Sequence, residues 1–181
     1  MSLNQKRSFY AHLEYNGSRL TFRNLLNESY PASEANVLTT LPSQPRHPAG
    51  PTRTYPKFIA YFACYGDYYN IEIRGHGYFA HYISKGATGK LSAMPGAAGK
   101  TTSFNLLDDN KRIITLDDLG TNNANIYLKA RNAGIIQSNS NAQYFSERAG
   151  TTLKFNLEIL QRNVDYPGAT PDTYEDLIDE D

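Results

Sequence analysis

The chain is a succession of short segments with the composition of β-strands. Examples are FYAHLEY, KFIAYFACY, SFNLL, IYLKA and KFNLEIL, and Gly, Asn, Asp and Pro separate them. β-Branched and aromatic residues favour extended backbone, and the separating residues favour turns. This spacing indicates many short antiparallel strands. A chain of 181 residues suffices for one domain with one core, so we predict a single all-β domain.

Two stretches of the chain, residues 69–107 and 112–157, contain four similar elements in the same order. The matched pairs are residues 70–73 with 113–116, 77–80 with 125–128, 89–92 with 134–137, and 101–106 with 151–157. The spacing between partners gives a period of about 45 residues, and each period contains four strand-like elements. The sequence therefore predicts an internal repeat of a four-stranded unit.

A further copy of the unit is expected in the first 67 residues, where two registers compete. In one, residues 9–12 match residues 78–81 and residues 17–20 form the next hairpin. In the other, strands lie at 9–13, 19–22, 36–40 and 57–62, and we prefer it because it supplies four strands. In both registers the Pro-rich segment from 41 to 51 is a surface loop, since proline cannot donate to a sheet ladder.

Three four-stranded units of this length resemble the β-trefoil superfamily. The cadence of an apolar strand, Gly-x-Tyr-aromatic, Gly-Lys-Leu-x-Ala and x-Phe-x-Leu is most similar to fascin-like and lectin-like trefoils. The resemblance implies twelve strands, six in a barrel and six in a cap of three hairpins. It implies one domain over residues 1–165 with repeats at about 8–67, 68–110 and 111–162, followed by an acidic tail at 166–181. A β-sandwich would also have short strands, but it would not explain the period.

Charge and targeting signals restrict the partners and the location. The 18 basic and 18 acidic residues cancel, so no general field attracts nucleic acid or an anionic membrane. No apolar run reaches the roughly 18 residues of a membrane span. The N-terminal residues lack the apolar core of a secretory signal, which predicts a cytoplasmic location and leaves non-classical secretion open. The single Cys64 excludes an intrachain disulfide, and its strand-like surroundings predict a buried, unreactive thiol.

The sequence contains no pattern that predicts catalysis, a metal or a cofactor. The segment 94–102 ends in Gly-Lys-Thr-Thr like a phosphate loop, but Met94 stands where that motif needs glycine, and a strand follows. A nucleophile and base cannot be paired from spacing alone. The four histidines are not spaced as metal ligands: His12, His47, His76 and His81. We therefore predict a binding module and not an enzyme.

Polar residues of the third repeat are the candidate ligand-binding residues. Asp108-Asp109-Asn110 and Asp117-Asp118 lie at strand ends, where carboxylates could accept hydrogen bonds from sugar hydroxyls or ligate calcium; we prefer the alternative that they form turns. Asparagine side chains could hydrogen-bond a carbohydrate while Tyr127 or Tyr144 stacks on a pyranose face. The full set is Asp117, Asp118, Asn123, Asn125, Tyr127, Asn139, Asn141 and Tyr144.

Two classes of partner remain open, a carbohydrate and a protein. The first hypothesis is a lectin-like carbohydrate-binding protein, although a chain without Trp lacks the Gln-x-Trp signature of ricin-B-like lectins. The alternative is a protein-interaction module, either a fascin-like cytoskeletal binder or a trefoil protease inhibitor that uses the Pro-rich loop 41–56. Its candidate contact residues are Pro45, Arg46, His47 and Arg53. The receptor-binding part of a toxin fits either class, and the chain could be a monomer or a homodimer.

Overall fold

The computed structural model describes residues 2–26, 31–41, 57–75, 77–86, 88–152 and 154–166. These ranges contain one short α-helix, α1 (Leu3–Lys6), and thirteen strands, so the all-β prediction is confirmed. The strands are β1 Phe9–Tyr15, β2 Ser18–Phe22, β3 Leu38–Thr40, β4 Ile59–Tyr65, β5 Tyr68–Ile73, β6 Tyr82–Ser84, β7 Ser92–Met94, β8 Ser103–Leu107, β9 Ile113–Ile114, β10 Asn123–Ala130, β11 Gln137–Asn139, β12 Tyr144–Ser146 and β13 Phe155–Arg162. Single 3₁₀ turns lie at Arg23–Leu25, Ala32–Glu34, Gly99–Thr101 and Leu116–Asp118.

Six strands close into a barrel in the order β1, β13, β10, β8, β5, β4 and back to β1, and every pair is antiparallel. Because the barrel is closed, each of these strands pairs with a neighbouring strand on both sides. The alternation along β13 shows how the sequence produces the wall: Phe155 and Leu157 are buried inside, and Asn156 between them faces outward. Burial of these inward rows is the main free energy that holds the barrel together.

Six further strands form three hairpins that contact one another: β2 with β3, β6 with β7, and β11 with β12. The amide of Leu38 donates to the Leu91 carbonyl at 2.9 Å, and the amide of Leu91 donates to the Phe145 carbonyl at 2.8 Å. All three side chains are buried. The hairpins therefore share one apolar centre, to which each contributes a large side chain.

An aromatic cluster joins the barrel to the β11–β12 hairpin. The ring of Tyr15 at the end of β1 lies 4.9 Å from that of Phe145 and 5.0 Å from that of Phe155, and the two phenylalanine rings are 5.5 Å apart. Edge-on and tilted contacts of this kind add about 0.5–1.5 kcal/mol each to the burial free energy. They hold Tyr15 beneath the surface where β1 turns into β2.

The preferred register for the first 62 residues is confirmed, because strands β1 to β4 lie where it places them. In the other two stretches, residues 69–107 and 112–157, some of the predicted correspondences between elements are wrong. Residues 77–80 form a turn in which Gly77 and Ala80 have positive φ, and the hairpin strands follow at β6 and β7. Residues 125–128 belong to the barrel strand β10 and not to a hairpin. The segment 113–116 contains only the two-residue β9, because a Thr115–Asp118 capping box starts a 3₁₀ turn.

Several predicted features lie outside the described residues: the Pro-rich loop beyond Leu41, His76, and the acidic tail beyond Tyr166. Cys64 is buried as predicted, and burial raises the pKa of its thiol. The last described residues run along the barrel wall, where the Tyr61 hydroxyl donates to the Val164 carbonyl at 2.9 Å.

Candidate functional site

A row of polar side chains crosses the outer face of the barrel where β10, β13 and β1 lie side by side. Asn125 is directly opposite Asn156, and Asn156 is directly opposite Glu14. The Asn156 amide donates to the Asn125 side-chain oxygen at 3.1 Å. Since neighbouring strands are about 4.8 Å apart, the row spans roughly 10 Å. It presents amide donors, amide acceptors and one carboxylate on the outer wall of the barrel.

The ring of Tyr127 stands beside this row, two residues along β10 from Asn125, and is partly exposed. The ammonium groups of Lys154 and Lys111 lie 5.7 and 5.8 Å from its centroid. Lys154 also pairs with Asp109, and that hydrogen bond raises the pKa of the lysine. The ring and the row form a shallow groove of about 520 Å³. This Tyr127 groove is lined by Glu14, Asn16, Gly17, Asn125, Tyr127, Thr152, Lys154 and Asn156.

A second depression, of about 450 Å³, adjoins the groove at Asn125 and includes the acidic turns. Its carboxylates are already engaged: Asp109 pairs with Lys154, and the other two accept hydrogen bonds from backbone amides. Asp118 accepts a hydrogen bond from the Thr115 amide at 2.9 Å, and Asp108 accepts from the amides of Asn110 and Arg112, each at 2.9 Å. These side chains form turns, as one of the two sequence interpretations predicts.

A third depression, of about 810 Å³, lies where the β1–β2 turn meets the loops that flank β12. We call it the Tyr15 pocket. Every described residue that lines it is uncharged, and most carry a hydroxyl or an amide. The lining residues are Tyr15, Asn16, Ser18, Thr40, Leu41, Ser138, Asn139, Ser140, Asn141, Ala142, Ala149, Gly150 and Thr151.

The Tyr15 hydroxyl is a buried polar group without a hydrogen bond to any described residue. Only 3% of the residue is exposed, and burial raises the pKa of its phenol; a contact with the Ser138 side chain, too poorly aligned to be a full hydrogen bond, lowers it in part. Buried hydroxyls in folded proteins nearly always have a partner. The lack of a partner distinguishes Tyr15 from Tyr69, which is also buried. The Tyr69 hydroxyl donates to the Arg7 carbonyl at 2.8 Å and accepts from the Leu116 amide at 3.0 Å.

The rim of the Tyr15 pocket has an unusual backbone. Ser140, Asn141 and Ala142 are consecutive residues with φ of 51°, 58° and 65°. A left-handed conformation costs a residue such as alanine roughly 1 kcal/mol. The strained loop is held against β3, because the Ala142 carbonyl accepts hydrogen bonds from the Thr40 amide at 3.4 Å and its hydroxyl at 3.2 Å.

The predicted ligand-binding residues are divided among these depressions. Asn125 and Tyr127 lie in the groove, whereas Asn139 and Asn141 line the Tyr15 pocket. Asp118 lines the acidic depression. Three other predicted residues line none of the three: Asp117, which pairs with Arg7 at 2.7 Å, Asn123 on β10, and Tyr144, whose ring lies 4.6 Å from the Lys90 ammonium. The predicted loop contacts Pro45, Arg46, His47 and Arg53 lie outside the described residues.

Sequence reasoning missed several lining residues. Glu14 and Asn156 come together through the register of β1 with β13, and Lys154, directly before β13, lies beside Tyr127 of the neighbouring strand β10. Asn16 lines both the groove and the Tyr15 pocket. The Asn16-Gly17 pair is a strong turn signal between two strands, and it could have marked that position.

Comparisons with known proteins assign no family: no family model and no curated protein matches the sequence. Within the part of the chain that the structure describes, His, Cys, Asp and Glu nowhere gather in threes suited to a metal ion. No described helix has the length and apolar character needed to cross a bilayer. The functional proposal therefore depends on the groove and the pocket.

Proposed function

We propose that this chain is a non-enzymatic, lectin-like carbohydrate-binding protein built on a β-trefoil. The trefoil is supported by chain order around the closed barrel. Barrel strand, hairpin and barrel strand recur as β1, β2–β3, β4, then β5, β6–β7, β8, then β10, β11–β12, β13. The three hairpins contact one another around a shared apolar centre, as the cap of a trefoil does.

The Tyr127 groove is the observation that carries the carbohydrate proposal. A pyranose presents C–H groups on its face and hydroxyls around its edge. The partly exposed ring of Tyr127 can cover the apolar face, and the adjacent amides of Asn125 and Asn156 can both donate to and accept from hydroxyls. Lys154 and Glu14 add one donor and one acceptor at the margins.

The groove favours binding over hydrolysis. Glycoside hydrolysis ordinarily needs two carboxyl groups on opposite sides of the scissile bond. Glu14 is the single carboxylate among the described residues that line the groove. The neighbouring Asp118 and Asp108 are engaged in turns, and Asp109 is paired with Lys154.

The test is a glycan array followed by titration of the strongest glycan against single variants. We expect Tyr127→Ala to weaken binding at least tenfold, equivalent to about 1.4 kcal/mol. Tyr144→Ala is the matched control, because Tyr144 is also a half-buried strand tyrosine beside a lysine but lies outside the groove. Asn156→Ala should also weaken binding, without removal of an aromatic ring. Circular dichroism checks that each variant is folded.

Two results would contradict the proposal. If folded wild-type protein binds no glycan above background, carbohydrate recognition is wrong. If Tyr144→Ala loses binding and Tyr127→Ala does not, the protein binds sugars elsewhere and the groove has been misassigned.

A further inference from the structure

We propose that the Tyr15 pocket is a second saccharide subsite, continuous with the Tyr127 groove through Asn16, and that it binds an uncharged unit of an oligosaccharide. The inference rests on the proposed carbohydrate-binding function and specifies its ligand. The ligand is a neutral chain of several sugars that crosses the β1–β2 turn, and a monosaccharide would fill only part of the site.

The chemistry of the lining defines the ligand class. Ser18 and Asn141 bring a hydroxyl and an amide to the pocket, and no described lining residue is charged. The Thr40 and Ser138 hydroxyls and the Asn139 amide already donate to neighbouring groups, so they contribute mainly acceptor oxygens. A charged sugar would lose hydration there with no counter-charge to compensate. A neutral sugar, whose hydroxyls both donate and accept, matches these groups. The volume of about 810 Å³ lies within the range of small-molecule sites.

The Tyr15 hydroxyl points independently to a ligand. It lies in a residue that lines the pocket, and it has no hydrogen-bond partner in the described part of the chain. Leaving such a group unpaired costs stability, and a bound sugar could restore the missing bond if its docking opens the buried hydroxyl to the pocket. An aromatic cluster with Phe145 and Phe155 holds the tyrosine in place, so the phenol is positioned before any ligand arrives.

The rim is preformed for binding. Consecutive left-handed residues from Ser140 to Ala142 store strain, which in proteins concentrates at binding and catalytic sites. Gly150 packs against the end of β11, directly before this loop: a Cβ on it would meet the Ser138 carbonyl and come within 2.8 Å of the Asn139 side-chain oxygen. The two segments can therefore approach this closely only because residue 150 is glycine.

Asn16 connects the two depressions, since it lines both. It follows Tyr15 directly, and its backbone is left-handed with φ of 49°. The polar row from Asn125 through Asn156 ends at Glu14, and Asn16 follows two residues further along the chain. A sugar chain that turns along β1 at Glu14 reaches Asn16 and the pocket beyond it.

The test uses three pairs of uncharged probes: diacetylchitobiose and tetraacetylchitotetraose, cellobiose and cellotetraose, and mannobiose and mannotetraose. Each is titrated into ¹⁵N-labelled protein, so that amide shifts report where it binds. For at least one series we expect the tetrasaccharide to bind at least tenfold more tightly than the disaccharide. It should shift amides of the groove together with those of Ser138 to Ala142.

Asn141→Gly is the decisive variant, because glycine keeps the left-handed backbone and removes only the amide side chain. Its matched control is Asn132→Gly, which changes an exposed asparagine with φ of 58° in the turn after β10, outside both depressions. We expect Asn141→Gly to lower the ratio of tetrasaccharide affinity to disaccharide affinity at least fivefold. The affinity for the disaccharide should be unchanged. Asn132→Gly should bind both probes like the wild type.

The outcomes separate the inference from the proposed function. If the tetrasaccharide shifts only groove amides and Asn141→Gly binds like the wild type, the second subsite is wrong and the groove remains. Shifts confined to the Tyr15 pocket would contradict a continuous site. If no probe of any series shifts either region while the array shows a bound glycan, the neutral-oligosaccharide subsite is wrong and the carbohydrate-binding function remains; an array without any bound glycan contradicts both.

Discussion

Replacement of Tyr15 by phenylalanine is expected to stabilise the unliganded protein. The change removes a buried hydroxyl that makes no hydrogen bond with the described residues, and it keeps the ring that packs on Phe145 and Phe155. A buried unpaired group costs about 1–3 kcal/mol. We therefore expect the free energy of unfolding to rise by about 1 kcal/mol, which raises the melting temperature by roughly 2–4 °C in a chain of this size.

Tyr69→Phe is the control and has the opposite expected sign. Tyr69 is equally buried, but its hydroxyl bonds the Arg7 carbonyl and the Leu116 amide. Its removal leaves two backbone groups without that partner and should cost about 1–3 kcal/mol or more. Urea unfolding followed by circular dichroism measures both variants, and equal m-values show that the unfolded state is unchanged.

The sign of the change in unfolding free energy in Tyr15→Phe shows whether the Tyr15 hydroxyl is unpaired. A loss of stability comparable with that of Tyr69→Phe would mean that the Tyr15 hydroxyl has a strong partner in solution. No change would mean that water already satisfies it. Either result would refute the reasoning that an unpaired phenol awaits a ligand. If the hydroxyl is unpaired and contributes to binding, Tyr15→Phe is more stable than the wild type and binds the tetrasaccharide more weakly. Structural damage cannot produce this combination, because damage lowers stability.

Two further predictions concern the supports of the pocket and the barrel. Gly150→Ala should lower the free energy of unfolding by about 1–3 kcal/mol, because the added Cβ meets neighbouring atoms, whereas Gly120→Ala, with open space around it, should change it by less than about 1 kcal/mol. The Glu147 carboxylate accepts a hydrogen bond from the Gly134 amide and pairs with Lys85, which holds its pKa below the usual value. Its stabilising contribution should be complete above about pH 4.3 and should be lost as pH falls through the lowered folded pKa. Urea unfolding of Glu147→Gln, compared with the wild type from neutral to acid pH, should show a smaller acid loss, and parallel curves would contradict this role.

Local residue chemistry was sufficient to predict the strands and the first unit. The aromatic and β-branched content of β1, β4 and β13 is a property of neighbouring residues, and it predicts these strands without a structure. The hairpin strands of the later stretches were misplaced. Strands of three residues carry little pattern, and the positive φ at Gly77 and Ala80, which interrupts the predicted strand, is not apparent from the residue types alone.

Asn125, Tyr127, Asn139 and Asn141 were candidates from their residue types, because amides and tyrosines suit sugar recognition whatever surrounds them. Their division between a groove and a pocket was decided by pairing across the barrel. β1 and β13 lie at opposite ends of the chain, and their register places Glu14 beside Asn156.

The sequence by itself predicted the candidate ligand-binding side chains and that they would lie on strands and turns. Only the tertiary structure decided that Asn16 lies between two depressions and that the Tyr15 hydroxyl is buried without a partner. The physical reason is the separation along the sequence of the residues that determine each property. Strand propensity depends on a few adjacent residues, whereas strand register and the satisfaction of a buried hydroxyl depend on atoms far away in sequence.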